Sequence, residues 1–336
     1  MKIIKIEEMG FQLQVKNPFI VCFHHKDLFP KGNGKMEPSY YLESRRIGED
    51  FDHNAPWRMY YGDTVPGFPV HPHRGFETIT VVTEGFVDHF DSKGSKGRYG
   101  QGDVQWMTAG AGIQHSEMFP ILSETEDNPM ELFQIWLNLP RKDKFATPAY
   151  KMLWNEQIPI VEVKDVNEHI SSIKVIAGNY KDIQSPDPLP ASWAYNKDNH
   201  VNIWLITMQP EAELSIPKVS PTLNRMLYLY EGDEVDIEGQ RLAVNHCAEL
   251  NGNDNIVLRN DTTESRLLLL EGEPIHESVA AYGPFVMNTR NEIEQAIADY
   301  EHTHFGGWQW YNPGPVNESG DGRFASYEDG RQTEKP

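Results

Sequence analysis

Two pairs of potential metal ligands stand out in the first half of the sequence. His71 and His73 are separated by one residue, and so are His115 and Glu117. In a β-strand, side chains two residues apart point to the same face, so each pair can direct both members at one point. Three imidazoles and one carboxylate suit Fe(II), Mn, Ni, Cu or Zn and leave two positions open on an octahedral ion. The pattern therefore predicts a metal centre of the open kind that catalysis requires.

Two further residues in this region are candidates for a role near the metal. Glu77 follows the first pair at the spacing of an additional carboxylate ligand, and strand alternation from His73 places it on the same face. His89 alternates with Val87 along a later strand. It either lines the pocket or is an ordinary histidine that is hydrogen-bonded within the protein or exposed to solvent. Glycines at 110 and 112 allow a tight backbone bend before the second ligand pair.

The elements that must position these residues are short strands. The chain holds 26 glycines and 23 prolines, which separate short stretches rich in Val, Ile, Phe, Tyr and Trp. The clearest stretches are residues 78–83, 132–139, 202–208, 226–230 and 266–270. Strands of this length and spacing, with turn signals between them, predict an all-β sandwich or barrel fold. Residues 93–102, which are rich in glycine and basic side chains, are interpreted as a mobile hairpin loop at the barrel mouth.

One helix is predicted, near the end of the chain at about 289–302. Thr289 is its candidate N-cap, and Glu292 has the capping-box spacing three residues later. Apolar residues then recur at helical spacing from Ile293 to Tyr300. The pattern is typical of an ordinary helix that packs through one face.

The chain is long enough for about two domains of about 150 residues each. Residues 140–159 combine charged residues with prolines and mark the best boundary, and the sequence at 81–85 is echoed at 229–233. These features predict two related β-barrels, at 1–140 and 141–305. Residues 306–336 are predicted to be a tail that lies on the surface, anchored by Trp308 and Trp310.

Composition excludes several classes of protein. The net charge of −20 argues against a protein whose main function is to bind nucleic acid, because that function depends on clustered Lys and Arg. No apolar run approaches the 18 residues of a membrane span, and the first ten residues lack the apolar core of a signal peptide. Two cysteines far apart in sequence cannot form a disulfide framework. We therefore expect a cytoplasmic protein that does not bind membranes or contact nucleic acid directly.

The motifs around the ligand pairs resemble the pirin family of the cupin superfamily. The resemblance runs from about residue 17 to about residue 305, which leaves the tail outside it. Its most specific parts are His-Pro-His-Arg-Gly-Phe-Glu-Thr at 71–78, Gly-Asp-Val-Gln-Trp-Met-Thr-Ala-Gly at 102–110, Gly-Ile-Gln-His-Ser-Glu-Met at 112–118, Gln-Ile-Trp-Leu-Asn-Leu-Pro at 134–140, Glu-Gly-Glu-Pro-Ile at 271–275 and Gly-Pro-Phe-Val-Met-Asn-Thr at 283–289.

The resemblance implies two jelly-roll cupin barrels in one chain, with the metal in the amino-terminal barrel. The ligands of the family fall on His71, His73, His115 and Glu117. Because pirins use the later glutamate, we expect Glu77 behind the ligands rather than on the metal. The second cupin motif departs from the general pattern, because Gly-Ala-Gly stands at 110–112 where Pro-x-Gly is usual. The strands of the carboxy-terminal barrel offer no His-x-His pair, since His302 and His304 lie at the end of the predicted helix, so this barrel is expected to be a scaffold without metal.

Bacterial pirin-like proteins are associated with quercetin 2,3-dioxygenase activity, so the resemblance implies a dioxygenase that acts on a small aromatic substrate and dioxygen. Fe(II) is the expected metal, with Ni, Mn, Cu, Co and Zn as alternatives. Glu117 is the candidate general base because it is the one anionic ligand. Two other functions stay open. The chain could be a redox-responsive regulator that binds a protein partner, as suggested for animal pirins, or a metabolite-binding cupin with a structural metal. A monomer is expected, since one chain already supplies two barrels.

Overall fold

The computed structural model describes residues 2–40, 42–43, 45–327 and 334–336. Within these ranges the structure is mostly β, and it includes one α-helix and five short 3-10 helices. The strands are β1 (Ile3–Glu8), β2 (Phe19–Phe29), β3 (Gly67–His73), β4 (Phe76–Glu84), β5 (Phe86–Asp91), β6 (Lys96–Gly100), β7 (Val104–Thr108), β8 (Ile113–Met118), β9 (Asn128–Asn138), β10 (Ala149–Leu153), β11 (Ile160–Lys164), β12 (Ile170–Ala177), β13 (Asn179–Tyr180), β14 (Ile183–Gln184), β15 (Asn202–Met208), β16 (Glu213–Ile216), β17 (Asn224–Glu231), β18 (Glu234–Ile237), β19 (Gln240–Ala243), β20 (His246–Asn251), β21 (Ile256–Asn260), β22 (Ser265–Gly272), β23 (Ala280–Tyr282), β24 (Phe285–Met287) and β25 (Phe324–Ser326). The 3-10 helices are Arg141–Asp143, Asn155–Gln157, Trp193–Tyr195, Lys197–Asn199 and His304–Gly306.

The predicted all-β fold is confirmed. The five apolar stretches of the sequence fall in β4, β9, β15, β17 and β22, and each strand matches its stretch to within a few residues at either end. The prediction for residues 93–102 is wrong, because this segment contains β6, which pairs with β5. Glycines near both ends of β6 are typical of turns, so the sequence of this strand resembles that of a loop.

The chain divides into two compact units that interleave along the sequence. The unit that carries the ligand pairs, called here the site unit, comprises Phe23–Ile135, Leu139–Asn155 and Glu277–Pro336. The second unit comprises Met1–Cys22, Trp136–Asn138 and Glu156–His276. The predicted ranges 1–140, 141–305 and 306–336 are continuous, whereas each unit takes segments from both halves of the chain. Strand β1 illustrates the difference, because it pairs with β20 in the second unit.

The second unit has an interior filled with hydrophobic side chains. Its seven-stranded sheet has the order β1-β20-β17-β22-β15-β12-β11, and a four-stranded sheet has the order β16-β21-β18-β19. Alternate residues of β22 and its neighbours face the same side, as the register between Leu227 and Leu269 shows. Buried apolar side chains from both sheets form one cluster. Leu268 and Leu270, which alternate with the cluster residues of β22, are buried as well, so this strand reads as a nearly continuous apolar run.

The site unit has a much more polar interior. Its two five-stranded sheets have the orders β10-β7-β4-β9-β2 and β25-β6-β5-β8-β3. Its strands bury many polar side chains among the apolar ones, such as Thr80, Gln105 and His115. Buried polar groups cost free energy unless they are hydrogen-bonded or bind a ligand. The polar interior therefore marks this unit as the one that holds a functional site.

The predicted helix is confirmed as α1 (Arg290–Thr303), in the site unit. The side chain of Thr289 accepts a hydrogen bond from the backbone N–H of Glu292, and the Glu292 side chain accepts one from the backbone N–H of Thr289. Ile293 and Ala296 are the buried residues of its packing face. Among the described residues, no helix combines the length and the apolar character needed to span a bilayer.

The tail is more closely integrated than a surface segment. Strand β25 pairs with β6 and extends the sheet that carries the ligand pairs. The Trp310 ring packs edge-on against Phe90, and its Nε1 donates to the backbone oxygen of Asp91 at 2.9 Å. Trp308 instead donates to the backbone oxygen of Asn312, within the tail itself. Trp310 therefore contacts strand β5 of the site unit.

Candidate metal centre

The two ligand pairs lie on neighbouring antiparallel strands. In the register of β3 and β8, His71 is paired with His115 and Phe68 with Glu117. Three residues of β3 therefore span two of β8, which is a β-bulge between Phe68 and His71. Because residues paired across two strands share a face, the register directs His71, His115 and Glu117 to the same side of the sheet.

The three histidines converge. Their rings have centroids 4.5 to 4.9 Å apart, and one ligand nitrogen from each lies within 4.8 Å of the other two. Imidazole nitrogens that converge in this way can bind one shared metal ion. Both ring nitrogens of His115 are buried and make no hydrogen bond among the described residues. A buried imidazole without partners is costly, and metal coordination would satisfy one of its nitrogens. His71, His73 and His115 therefore fit a metal ion.

Backbone carbonyls orient two of the histidines. Nδ1 of His71 lies 2.9 Å from the backbone oxygen of Pro69, so Nδ1 carries the proton and Nε2 presents its lone pair. The backbone carbonyl of Pro284 accepts a hydrogen bond from His73. Partners of this kind fix the tautomer and ring orientation of metal-binding histidines. The sequence alone did not reveal either partner.

Burial keeps the histidines neutral. It lowers the pKa of His71 to about 4, although the hydrogen bond to Pro69 opposes part of the shift. Burial also holds the pKa values of His73 and His115 well below the ordinary value, and the neighbouring imidazoles add to the effect. Neutral imidazoles are the form that binds metals, so the group is ready to coordinate at neutral pH.

Glu117 lies next to His115, outside the group of three histidine nitrogens, and hydrogen bonds hold its carboxylate. Its Oε2 lies 3.7 Å from Nε2 of His115, while Gln134 donates to the same oxygen at 2.7 Å. Burial raises the pKa of Glu117, and His89 together with hydrogen bonds from Thr80, Gln134 and Tyr99 opposes part of that rise. The structure thus places the carboxylate next to His115, in a hydrogen-bonded orientation.

Glu77 lies on the opposite face of its strand from the histidines. Along β4, Phe76 contacts the ring of His73 and Thr80 bonds to Glu117, so the even-numbered residues face the site. Glu77 points the other way and accepts a hydrogen bond from Thr108 at 2.7 Å. The expectation that it shares a face with His73 is therefore wrong. Strand alternation does not continue from β3 into β4, because the chain turns between them.

His89 lies inside the site unit next to His115. It is paired with Glu117 in the register of β5 and β8, and its ring centroid is 5.5 Å from that of His115. Its Nε2 is 3.3 Å from Oδ2 of Asp91, and its ring stacks on Tyr150. His89 is fully buried, so the interpretation as an exposed histidine does not hold. Asp91 was missed in the sequence, although His89 and Asp91 have the same two-residue spacing as the ligand pairs.

A tight turn separates β3 from β4 and sets the faces of both strands. Gly75 has a φ of +86°, and a Cβ there would lie 2.0 Å from the backbone oxygen of Val286. Only glycine fits this turn. The Nζ of Lys144, which is buried, donates to the backbone oxygens of Gly75 and Val286 at 2.9 and 3.0 Å. Lys144 therefore ties the turn after His73 to β24.

The burial of Lys144 predicts a pH dependence of stability. Burial lowers its pKa from 10.5 to about 8, although Glu277 and Glu292 oppose the shift. Between these two values the unfolded chain binds the proton more tightly than the folded one, so the free energy of unfolding rises with pH. We expect the wild type to gain about 2 kcal/mol between pH 7 and 9.5 relative to Lys144→Met. Urea unfolding of both proteins at these pH values measures the difference. Parallel pH profiles for the two proteins would contradict the prediction.

Comparison with known proteins adds independent findings. The family model described as Pirin matches residues 41–137, and the model described as Pirin C-terminal cupin domain matches residues 203–306. A Pseudomonas aeruginosa protein named "putative quercetin 2,3-dioxygenase" is 39% identical over 241 residues, which cover 71% of this chain and 80% of the relative. A pirin-like protein of Solanum lycopersicum is 37% identical over 252 residues, which cover 73% of this chain and 80% of the relative.

A solved structure agrees with these matches. The crystal structure of a quercetin 2,3-dioxygenase from Acinetobacter baumannii superposes with a TM-score of 0.70 and 26% sequence identity. The match covers 91% of this chain and 98% of that protein. The similarity therefore extends over both family domains.

Proposed function

Since the chain belongs to the pirin family of the cupin superfamily, we propose that it is a metal-dependent dioxygenase. Its proposed reaction opens the ring of a flavonol such as quercetin, consumes one dioxygen and releases one carbon monoxide. The observation that carries the proposal is the convergence of three neutral histidines, the half-buried His71 and the buried His73 and His115, with Glu117 next to His115. The similarity to proteins named as quercetin 2,3-dioxygenases supports the choice of substrate.

The proposed metal ligands are His71, His73, His115 and Glu117, and the proposed metal is Fe(II). When bound, a divalent ion of this kind supplies Lewis acidity toward an enolic hydroxyl and leaves coordination positions open. Ni, Mn, Cu, Co and Zn suit the same ligands, and a purified sample can carry Ni or Zn by affinity alone. The metal should therefore be removed and replaced before activity is measured.

The residues around the metal have separate roles in proton transfer and in the orientation of the ligands. Glu117 accepts the proton of the flavonol 3-hydroxyl, because it is the anionic group next to the histidines. Pro69 and Pro284 hold two of the histidines in the required orientation. The burial of His73, His115 and Glu117 limits the access of bulk water, which strengthens the electrostatic interactions among them.

Oxygen uptake with quercetin tests the proposal. The protein is stripped of metal, reloaded anaerobically with Fe(II), and mixed with quercetin and oxygen, and uptake and carbon monoxide are both recorded. We expect equal amounts of the two with the wild type and with His276→Ala, which removes an exposed histidine elsewhere. His71→Ala and Glu117→Ala should each lose at least about 100-fold in rate.

The opposite result would redirect the assignment. No uptake by a wild type that holds one metal ion per chain would exclude flavonol dioxygenation. Metal-dependent capture of a protein partner would then favour the alternative function, a redox-responsive regulator without enzymatic activity.

A further inference from the structure

Gln134 contacts the carboxylate of Glu117 directly. Two residues apart on β9, Gln134 and Trp136 share one face of the strand, and this pattern alone is typical of core packing. In the structure, Nε2 of Gln134 donates to Oε2 of Glu117 at 2.7 Å, across the interior of the site unit. A hydrogen bond to a carboxylate is stronger than one between neutral groups and fixes its orientation. Gln134 is therefore more than a packing residue.

Thr80 fixes the orientation of Gln134 in turn. Its Oγ1 lies 2.6 Å from Oε1 of Gln134 and 3.0 Å from Oε1 of Glu117, so its single hydrogen can be donated to either oxygen. With Oε1 of Gln134 next to the Thr80 hydroxyl, the amide NH2 must face Glu117. The three side chains thus form a closed ring of contacts on β4, β8 and β9.

The two carboxylate oxygens of Glu117 have different surroundings. Oε1 is approached by the hydroxyls of Thr80, at 3.0 Å, and Tyr99, at 3.5 Å. Oε2 is bonded to Gln134 and lies 3.7 Å from Nε2 of His115. A carboxylate oxygen that accepts one hydrogen bond keeps a second lone pair. The free lone pair nearest the histidines therefore belongs to Oε2.

We propose that Gln134 is a positioning residue for the metal centre. It holds Oε2 of Glu117 toward the histidines, and Thr80 keeps its amide in the orientation that does so. The inference rests on the proposed function, since it takes Glu117 as a metal ligand, and it adds the residue that determines which oxygen binds. Removal of such a partner costs about 10- to 100-fold in metal affinity in known metal sites.

Titration with Co(II) tests the inference without any need for catalysis. We expect the wild type and Gln240→Met, which changes an exposed glutamine, to bind one Co(II) with the same affinity and visible spectrum. Gln134→Met keeps the length of the side chain and removes the N–H donor, and it should weaken binding about 10-fold or more and change the spectrum. Thr80→Val should weaken binding as well, whereas Thr80→Ser retains the hydroxyl and should bind like the wild type.

A double-mutant cycle separates positioning from general damage to the fold. If Gln134 acts through Glu117, then Gln134→Met should cause no further loss in a Glu117→Ala background. An equal loss in both backgrounds, or Gln134→Met binding like the wild type, would overturn the inference and leave the proposed function intact. A wild type that binds no Co(II) would overturn both.

Discussion

Replacing His115 with alanine is expected to weaken the binding of Co(II) by more than about 100-fold. Loss of a residue that only orients a ligand costs up to about 100-fold in metal affinity, and loss of the ligand itself should cost more. His115 forms a nearly equilateral triangle with the other two histidines, with its ring centroid 4.5 Å from that of His71 and 4.9 Å from that of His73. Its loss leaves two imidazoles and one carboxylate on neighbouring strands. Equilibrium titration of the metal-free protein measures the affinity directly.

Ser116→Ala is the matched control for this experiment. Ser116 is the next residue of β8, is equally buried, and alternates to the other face of the sheet. We expect its Co(II) affinity to match that of the wild type, and Co(II) should raise the thermal midpoint of both proteins by mass action. Should His115→Ala bind Co(II) as tightly as Ser116→Ala, the histidines would not be the metal site.

The second large effect is expected from Arg98→Met. Arg98 donates to both carboxylate oxygens of Asp88 at 2.7 and 2.8 Å, and neither side chain is exposed. It also donates to backbone oxygens of Asn317, Glu318 and Asp321 in the tail. The substitution leaves Asp88 as a buried charge without its partner, which costs about 3–5 kcal/mol. Thermal unfolding should show a midpoint lowered by about 10 °C.

Arg46→Met provides the contrast. Arg46 forms an ion pair with Glu49 at 2.6 Å, but the two side chains are 78% and 68% exposed. Solvent screening limits such a pair to well under about 1 kcal/mol, so the midpoint should hardly move. The double variant Asp88→Leu/Arg98→Met removes both charges and should lose less than Arg98→Met alone. Equal midpoints for Arg98→Met and Arg46→Met would refute the account of the buried pair.

The sequence predicted the parts of the structure that depend on local pattern. Apolar stretches between turn signals were enough for five strands and a capping box was enough for α1, whereas β6 was predicted as a loop. The face shared by His71 and His73 followed from their spacing. The face of Glu77 was predicted wrongly because residue alternation holds only within one strand. The turn at Gly75 separates β3 from β4, so the alternation of β3 does not continue into β4. A one-residue error in register moves a side chain to the other face.

The parts that the sequence missed depend on contacts between distant segments. Gln134 is 17 residues from Glu117, and Thr80 is 37 residues away from it. Asp88 and Arg98 are closer in sequence, but the tail that covers them lies more than two hundred residues further on. No local pattern encodes such pairings. The pairing of β1 with β20, near residue 250, likewise has no local signal in the sequence.

Anomalous X-ray diffraction from crystals of the Fe(II)-reloaded protein, recorded on both sides of the iron absorption edge, tests the central claim most directly. The account predicts one strong iron peak per chain. It should lie about 2.1 Å from one nitrogen each of His71, His73 and His115 and from an oxygen of Glu117. A peak elsewhere in the chain, or no peak from protein that contains stoichiometric iron, would contradict it.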